Sequence, residues 1–319
     1  IGSNIGRLMH LNYKQRTLMI GCGAAAAISG IFNSPVAGVI FSIEVILTDV
    51  TIGAFIPLLI ASVLGSLVSM LLIGDDVLFS FELTDPFEAN DFGYFLLLGA
   101  ICGLVSVYFT RMTLWTEKVV SKISKVLPRA VVGGIALTVI IFVLAPLYGE
   151  GYDSIKLILQ GRAQEIVSSS ALFSNISDPW FIVIFGIGII LMKPLATGLT
   201  IGSGGNGGIF APSLFMGGIT GFIFSQVNNL LNLNQNISIS NFTLVGMCGV
   251  MSGVLHAPLT AIFLIAEITS GYTLFLPLML VSAVAYSTNS YFEKYSFYTS
   301  KLIKSGDLIP SHDKDKQVL

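Results

Sequence analysis

Ile52 to Ile73 is a run of 22 residues without a single charge. As a helix it would measure about 33 Å, the thickness of a bilayer's hydrocarbon core. Further apolar runs follow at Phe95–Tyr108, Val131–Leu147 and Trp180–Met192. The 319 residues are 54% hydrophobic and only 11% charged, with a mean hydropathy of +0.84. A soluble domain carries roughly 25% charged residues and could not cover its surface with so few. The pattern predicts an all-α, polytopic membrane protein. A β-barrel is excluded because the runs do not alternate, and a net charge of −2 offers no basic face for nucleic acid. Cys22, Cys102 and Cys248 are isolated in apolar stretches and read as buried structural thiols. His10, His256 and His312 are too scattered for a metal site.

Lys and Arg are absent between Arg16 and Arg111, then cluster as Arg111, Lys118, Lys122, Lys125 and Arg129. That cluster is expected to be one short cytoplasmic connection. Asp75 to Asp91 holds six acids and no base, which places it outside, with a span from about Gly93 to Tyr108 joining the two. Lys301, Lys304, Lys314 and Lys316 put the C-terminus in the cytoplasm. The chain starts without Met and stops in a charged tail, so it reads as a fragment.

Pro35, Pro57, Pro146, Pro194, Pro212, Pro258 and Pro277 interrupt or adjoin hydrophobic stretches. Irregular backbone is costly in lipid and is tolerated only where protein or a water-filled cavity receives it. Broken helices therefore predict a transporter or channel core. An internal repeat agrees: Gly30, Pro35 and Glu44 recur as Gly253, Pro258 and Glu267, at a constant offset of 223. Small-residue stretches precede both copies, Gly21 to Ala27 and Gly246 to Ser252, and favour close helix packing.

The richest motif is Gly202-Ser203-Gly204-Gly205-Asn206-Gly207-Gly208-Ile209-Phe210-Ala211-Pro212. It formally contains G-x-G-x-x-G, which signals a dinucleotide only between a strand and a helix. Membrane segments flank it here, so that reading is rejected. The alternatives are a flexible interhelical loop and an anion site. In the second, glycines bare backbone N–H groups and Pro212 suits the first turn of a helix. The N-terminus of that helix then points at an anion without presenting a full positive charge, and the anion can leave again.

This motif resembles the selectivity filter of the CLC family, the voltage-gated chloride channels and chloride–proton antiporters. The resemblance covers residues 1–305. Ala24 through Glu44 and Ala257 through Glu267 resemble the family's dimer-interface repeats, and Ser296-Phe297-Tyr298 resembles its last helix. It implies an inverted-repeat bundle of tilted, discontinuous helices, with residues 1–305 as the membrane domain. It also implies homodimers in the lipid bilayer, each subunit with its own chloride path, and no cofactor. By carry-over the amides of Ile209 and Phe210, with Gly208, and the Tyr298 hydroxyl hold the anion. Gly202, Ser203, Gly204, Gly207 and Pro212 build the filter loop. A bacterial inner membrane is expected as the location. Two further filter loops of the family, one with a serine and one with the gating glutamate, would precede Ile1. The fragment alone is not expected to conduct. Residues 306–319 resemble a cytoplasmic tail or linker of the kind that leads to CBS domains.

Proton-coupled members usually carry a second glutamate directly after the repeat glutamate; here that position is Val45, which leans the reading toward a passive channel, with exchange as the alternative. Tyr298 favours chloride over fluoride by the same resemblance. Glu44 and Glu267 are intramembrane acids and functional candidates by default. Their matching repeat positions favour a structural role, accepting helix N–H groups or pairing across the repeat, over proton handling. Two rival classes remain: an intramembrane hydrolase using Ser203 and His256 as nucleophile and base, and a non-conducting membrane scaffold.

Overall fold

The computed structural model describes residues 1–47, 52–74, 91–170, 172–173, 176, 178–233, 237–269 and 271–305. The acidic stretch from Asp75 onward, apart from Asp91, and the tail 306–319 lie outside them. Fourteen α-helices and no strand occur among the described residues. They are α1 (Gly2–Leu8), α2 (Tyr13–Phe32), α3 (Pro35–Phe41), α4 (Ile52–Ile73), α5 (Phe92–Ser121), α6 (Val126–Val143) and α7 (Tyr152–Leu159), then α8 (Gln164–Ser168), α9 (Pro179–Gly202), α10 (Phe210–Leu230), α11 (Ile239–Leu255), α12 (Pro258–Ile268), α13 (Phe275–Phe292) and α14 (Phe297–Ser305). Five of them, α4, α5, α6, α9 and α10, are long and apolar enough to cross a membrane.

Most of the prolines mark helix starts. Pro35 and Pro258 occupy the first position of α3 and α12, where the missing N–H leaves no bond unmade. Pro212 and Pro277 lie in the first turns of α10 and α13. Pro57 and Pro194 lie in helix interiors, beyond the first turn.

Two sequence expectations are corrected here. The span from about Gly93 to Tyr108 continues to Ser121 as a 30-residue helix, about 45 Å long. Arg111 and Lys118 therefore belong to α5 and Arg129 to α6, so the basic connection shrinks to Lys122–Lys125. Long cationic side chains can extend from a helix toward water, and Arg111 does so while pairing with Glu293 at 2.5 Å. The run Trp180–Met192 likewise extends through Pro194 to Gly202.

The repeat is a three-dimensional one. α2 and α11 end at Phe32 and Leu255, and α4 and α13 begin at Ile52 and Phe275, each pair 223 residues apart. The left-handed residues that end α2 and α11, Asn33 (φ 50°) and His256 (φ 54°), keep the same offset. Corresponding helices are tied alike: Ser29 Oγ donates to the Ser62 carbonyl at 2.6 Å, and Ser252 Oγ to that of Ser282 at 3.0 Å.

Between the two halves, α3 packs on α12. The Glu44 carboxylate accepts the N–H groups of Leu259 and Thr260 at 3.2 and 2.8 Å. Glu267 accepts those of Val36 and Ala37 at 3.0 and 2.9 Å. Glu44 lies just past the end of α3 and Glu267 in the last turn of α12, and each caps the start of the other helix, so the two segments run antiparallel, as an inverted repeat requires. The structural role expected for both acids is what the geometry displays. A carboxylate at a helix start satisfies orphan donors and favours the positive dipole end.

The core lies between α10 and α11, which approach backbone to backbone. A Cβ on Gly217 would fall on the Gly246 carbonyl, and one on Gly246 would fall on that of Gly217. In lipid, where apolar burial does not drive helix pairing, such close contact is a principal source of association.

Candidate functional site

The glycine motif divides into two parts with different work. Gly202 is the last residue of α9, and Ser203 caps it. The Gly204 N–H donates to the Ile201 carbonyl at 3.1 Å, and the Gly205 N–H to that of Thr200 at 2.9 Å. Gly204 sits at φ +95°, the left-handed conformation that such a helix stop needs. These residues close α9 and lie against α5 and α6: Gly202 packs on Glu117 and Ser203 on Gly133. Gly202, Ser203 and Gly204 do not line the cavity described below.

From Asn206 onward the backbone behaves differently. Among the described residues, nothing accepts a hydrogen bond from the N–H groups of Asn206, Gly207, Gly208, Ile209, Phe210 or Ala211. Ile209 is the residue that precedes α10, its side chain buried in the core at 1% exposure. The first helical bond returns to it, from the Ser213 N–H at 3.0 Å. Pro212, in the first turn, has no N–H to leave unmade. The result is a row of unpaired donors leading to the positive end of a 21-residue helix.

Most of that row borders a cavity of about 880 Å³, which Asn206, Gly207, Gly208, Phe210, Pro212 and Tyr298 help to line and Ile209 does not. Phe210 is set against Phe32 and Phe41, with ring centroids 5.5 and 5.8 Å away. Because Phe32 ends α2 and Phe41 ends α3, the first repeat braces the start of α10. Tyr298 comes from α14, whose adjacent Phe297 is buried at 2% exposure. Lys301, one turn on, pairs with Glu117 of α5 at 2.7 Å. Among the described residues the Tyr298 hydroxyl has no hydrogen-bond partner.

The structure thus brings Gly207, Gly208, Phe210, Pro212 and Tyr298 to one cavity. Val45 is elsewhere, half-buried in a π-helical turn (Ser42–Ile46) and packed on the core. Ser203 and His256 are not partners: the His256 ring bonds Asn289 at 2.9 Å, and Ser203 Oγ has no partner. Among the described residues there is no cluster of His, Cys, Asp or Glu able to hold a metal.

One lining residue went unnoticed in the sequence. Lys193 of α9 reaches the cavity wall at 2% exposure. Its signal was visible, because it is the only charged residue between Asp178 and Glu267. An ionisable group within a spanning segment is a functional candidate by default.

The chain is similar to known proteins in sequence and in fold. The family profile described as "Voltage gated chloride channel" matches residues 1–290. The chain is 30% identical over 288 residues to chloride channel protein CLC-f of Arabidopsis thaliana, covering 85% of this chain and 35% of that one. It is 27% identical over 299 residues to the H(+)/Cl(-) exchange transporter ClcA of Vibrio cholerae, covering 88% and 59%. The fold resembles the crystal structure of a slow cyanobacterial Cl-/H+ antiporter, with a TM-score of 0.73 at 23% identity over 95% of this chain and 68% of that one. The chain spans only 35% to 59% of the length of these two sequence relatives. With the profile matching nine-tenths of its length, the chain belongs to the voltage-gated chloride channel family.

Proposed function

We propose that this chain forms the anion-holding part of a chloride path through a membrane. The observation that carries the reading is the row of unpaired N–H groups from Asn206 to Ala211, of which Asn206, Gly207, Gly208, Phe210 and Ala211 lie on the cavity wall. Unpaired amides at membrane depth are costly without an acceptor. A small anion is the acceptor that their geometry and the dipole of α10 both favour. In this reading the amides of Ile209 and Phe210, with Gly208 beside them, and the Tyr298 hydroxyl hold the central anion. Gly202, Ser203 and Gly204 serve it indirectly, by stopping α9 so that the following backbone can turn into the cavity. Neutral dipoles attract chloride without trapping it, as conduction requires.

Residues 1–305 form the membrane domain of a homodimer in a bacterial inner membrane, and no cofactor takes part. Val45 carries no proton, so passive chloride conduction is the favoured mode. Proton-coupled exchange is the second reading, supported by the likeness to the H(+)/Cl(-) exchange transporter of Vibrio cholerae.

The test is to reconstitute the intact protein in liposomes and record chloride efflux and internal pH together under a chloride gradient. Chloride flux without proton movement is expected. Uphill proton movement driven by chloride would replace the passive mode with exchange, and a failure to move any anion would overturn the reading.

A further inference from the structure

Moving an ammonium out of water is costly unless counter-charge or strong dipoles receive it. Lys193 has dipoles, and its counter-charge is the exposed Glu150 carboxylate, which attracts it from beyond ion-pair distance. Its Nζ donates to the carbonyls of Gly149 and Glu150 at 3.0 and 3.5 Å and stands 4.6 Å over the Phe215 ring. Among the described residues it forms no ion pair with a carboxylate. Carbonyls and a ring face hold the ammonium in place without neutralising it, and the exposed Glu150 carboxylate is screened by solvent, so positive charge remains beside the cavity. Glu150, the only other charged group on the lining, is exposed.

Position sets what that charge can do. Lys193 precedes Gly202 by nine residues, about 13 Å along α9. Phe215 follows Phe210 by five residues, a little over one turn into α10. Lys193 therefore stands between the segment Tyr148–Tyr152 and the amide row, not at the row itself. Its donors already engage carbonyls, so it acts on an anion through space.

We propose that Lys193 is the fixed positive charge that draws small monovalent anions into this cavity and sets their affinity before they reach the amides. The inference rests on the anion-path reading and adds a specificity residue to it. An ammonium already engaged by carbonyls attracts the anion without coordinating it, so affinity rises while release stays fast. The same charge repels cations from a cavity whose other walls are largely neutral. At an effective dielectric constant of about 20, a unit charge roughly 10 Å away changes anion affinity by about tenfold.

The competing role is a latch that fastens the Gly149–Glu150 backbone to α9. Chloride flux through the intact protein in liposomes, measured against chloride concentration, separates the two. Lys193→Gln keeps a donor for the Gly149 carbonyl and loses the charge. It is expected to lower flux about tenfold at low chloride, with recovery at saturating chloride, while Lys193→Arg stays within about threefold of wild type. A Lys193→Gln protein with the wild-type chloride dependence overturns the inference. A second variant leaves Lys193 in place: Thr197→Lys adds an ammonium one turn along the same cavity wall. It is expected to raise low-chloride flux about threefold, and an unchanged chloride dependence counts against the proposal. A wild-type protein that moves no anion overturns the anion path and this inference together; wild-type flux with an unaltered Lys193→Gln overturns this one alone.

Discussion

The carboxylate of Glu44 and the backbone N–H of Thr260 meet at 2.8 Å, although 216 residues separate them in the chain. The Thr260 hydroxyl donates to the same oxygen at 2.7 Å. The exchange is returned by Glu267, 223 residues beyond Glu44, which caps Val36 and Ala37.

Removing the charge from either acid weakens the join between the halves. A hydrogen bond to a charged group contributes about 1.5–3 kcal/mol, and glutamine retains only one neutral acceptor. Glu44→Gln and Glu267→Gln should each destabilise the protein by about 1–2 kcal/mol, and Glu44→Leu by about 3 kcal/mol because three donors lose their acceptor. Thermal unfolding in detergent would read this, and an unshifted midpoint for Glu44→Leu would refute it.

Deleting a single filter donor isolates the amide argument. An ester in place of the amide at Phe210 removes one N–H and leaves the ring against Phe32 and Phe41. Anion affinity by calorimetry should fall about tenfold, the equivalent of one charge-assisted hydrogen bond. Wild-type affinity in the ester protein would mean that the anion does not use this donor.

Tyr298→Phe removes a hydroxyl and keeps the ring packed beside Phe297. Chloride binding should weaken by about threefold to tenfold while stability stays within about 0.5 kcal/mol of wild type. Equal chloride isotherms for the two proteins would remove Tyr298 from the site.

At the α10–α11 crossing, Gly217→Val forces side-chain atoms into the Gly246 backbone. Packing of this kind cannot relax by a rotamer change, so a loss of about 3 kcal/mol is expected. Gly208→Ala is the contrast, because a Cβ there meets nothing within 4 Å. Comparable unfolding midpoints for the two variants would contradict the packing account.

Much of this architecture was readable in advance. Three residue types at one fixed offset announced the repeat, since Gly, Pro and Glu each do a job that few residues can do at a helix junction. The folded chain extends that offset to helix ends and to the left-handed pair Asn33 and His256. The basic cluster was misread because charge alone does not mark a helix end: Arg111 stays in α5 and pairs with Glu293, which is distant in sequence. The glycine motif was recognised whole, but its division at Gly205 depends on which residue turns left-handed, and five glycines in seven residues do not reveal that. Lys193 was passed over for a different reason: the length of α9 emerges only once Pro194 is known to lie inside the helix.

The exchanged carboxylates also bear on how such a chain is made. A ribosome delivers Val36 and Ala37 some 230 residues before the glutamate that will cap them. At about 5–20 residues per second that interval is on the order of 10–50 s. Through it the start of α3 holds unsatisfied donors while neighbouring helices are already entering the bilayer, so the first half must wait near water, or borrow a partner from the insertion machinery, until synthesis passes residue 267.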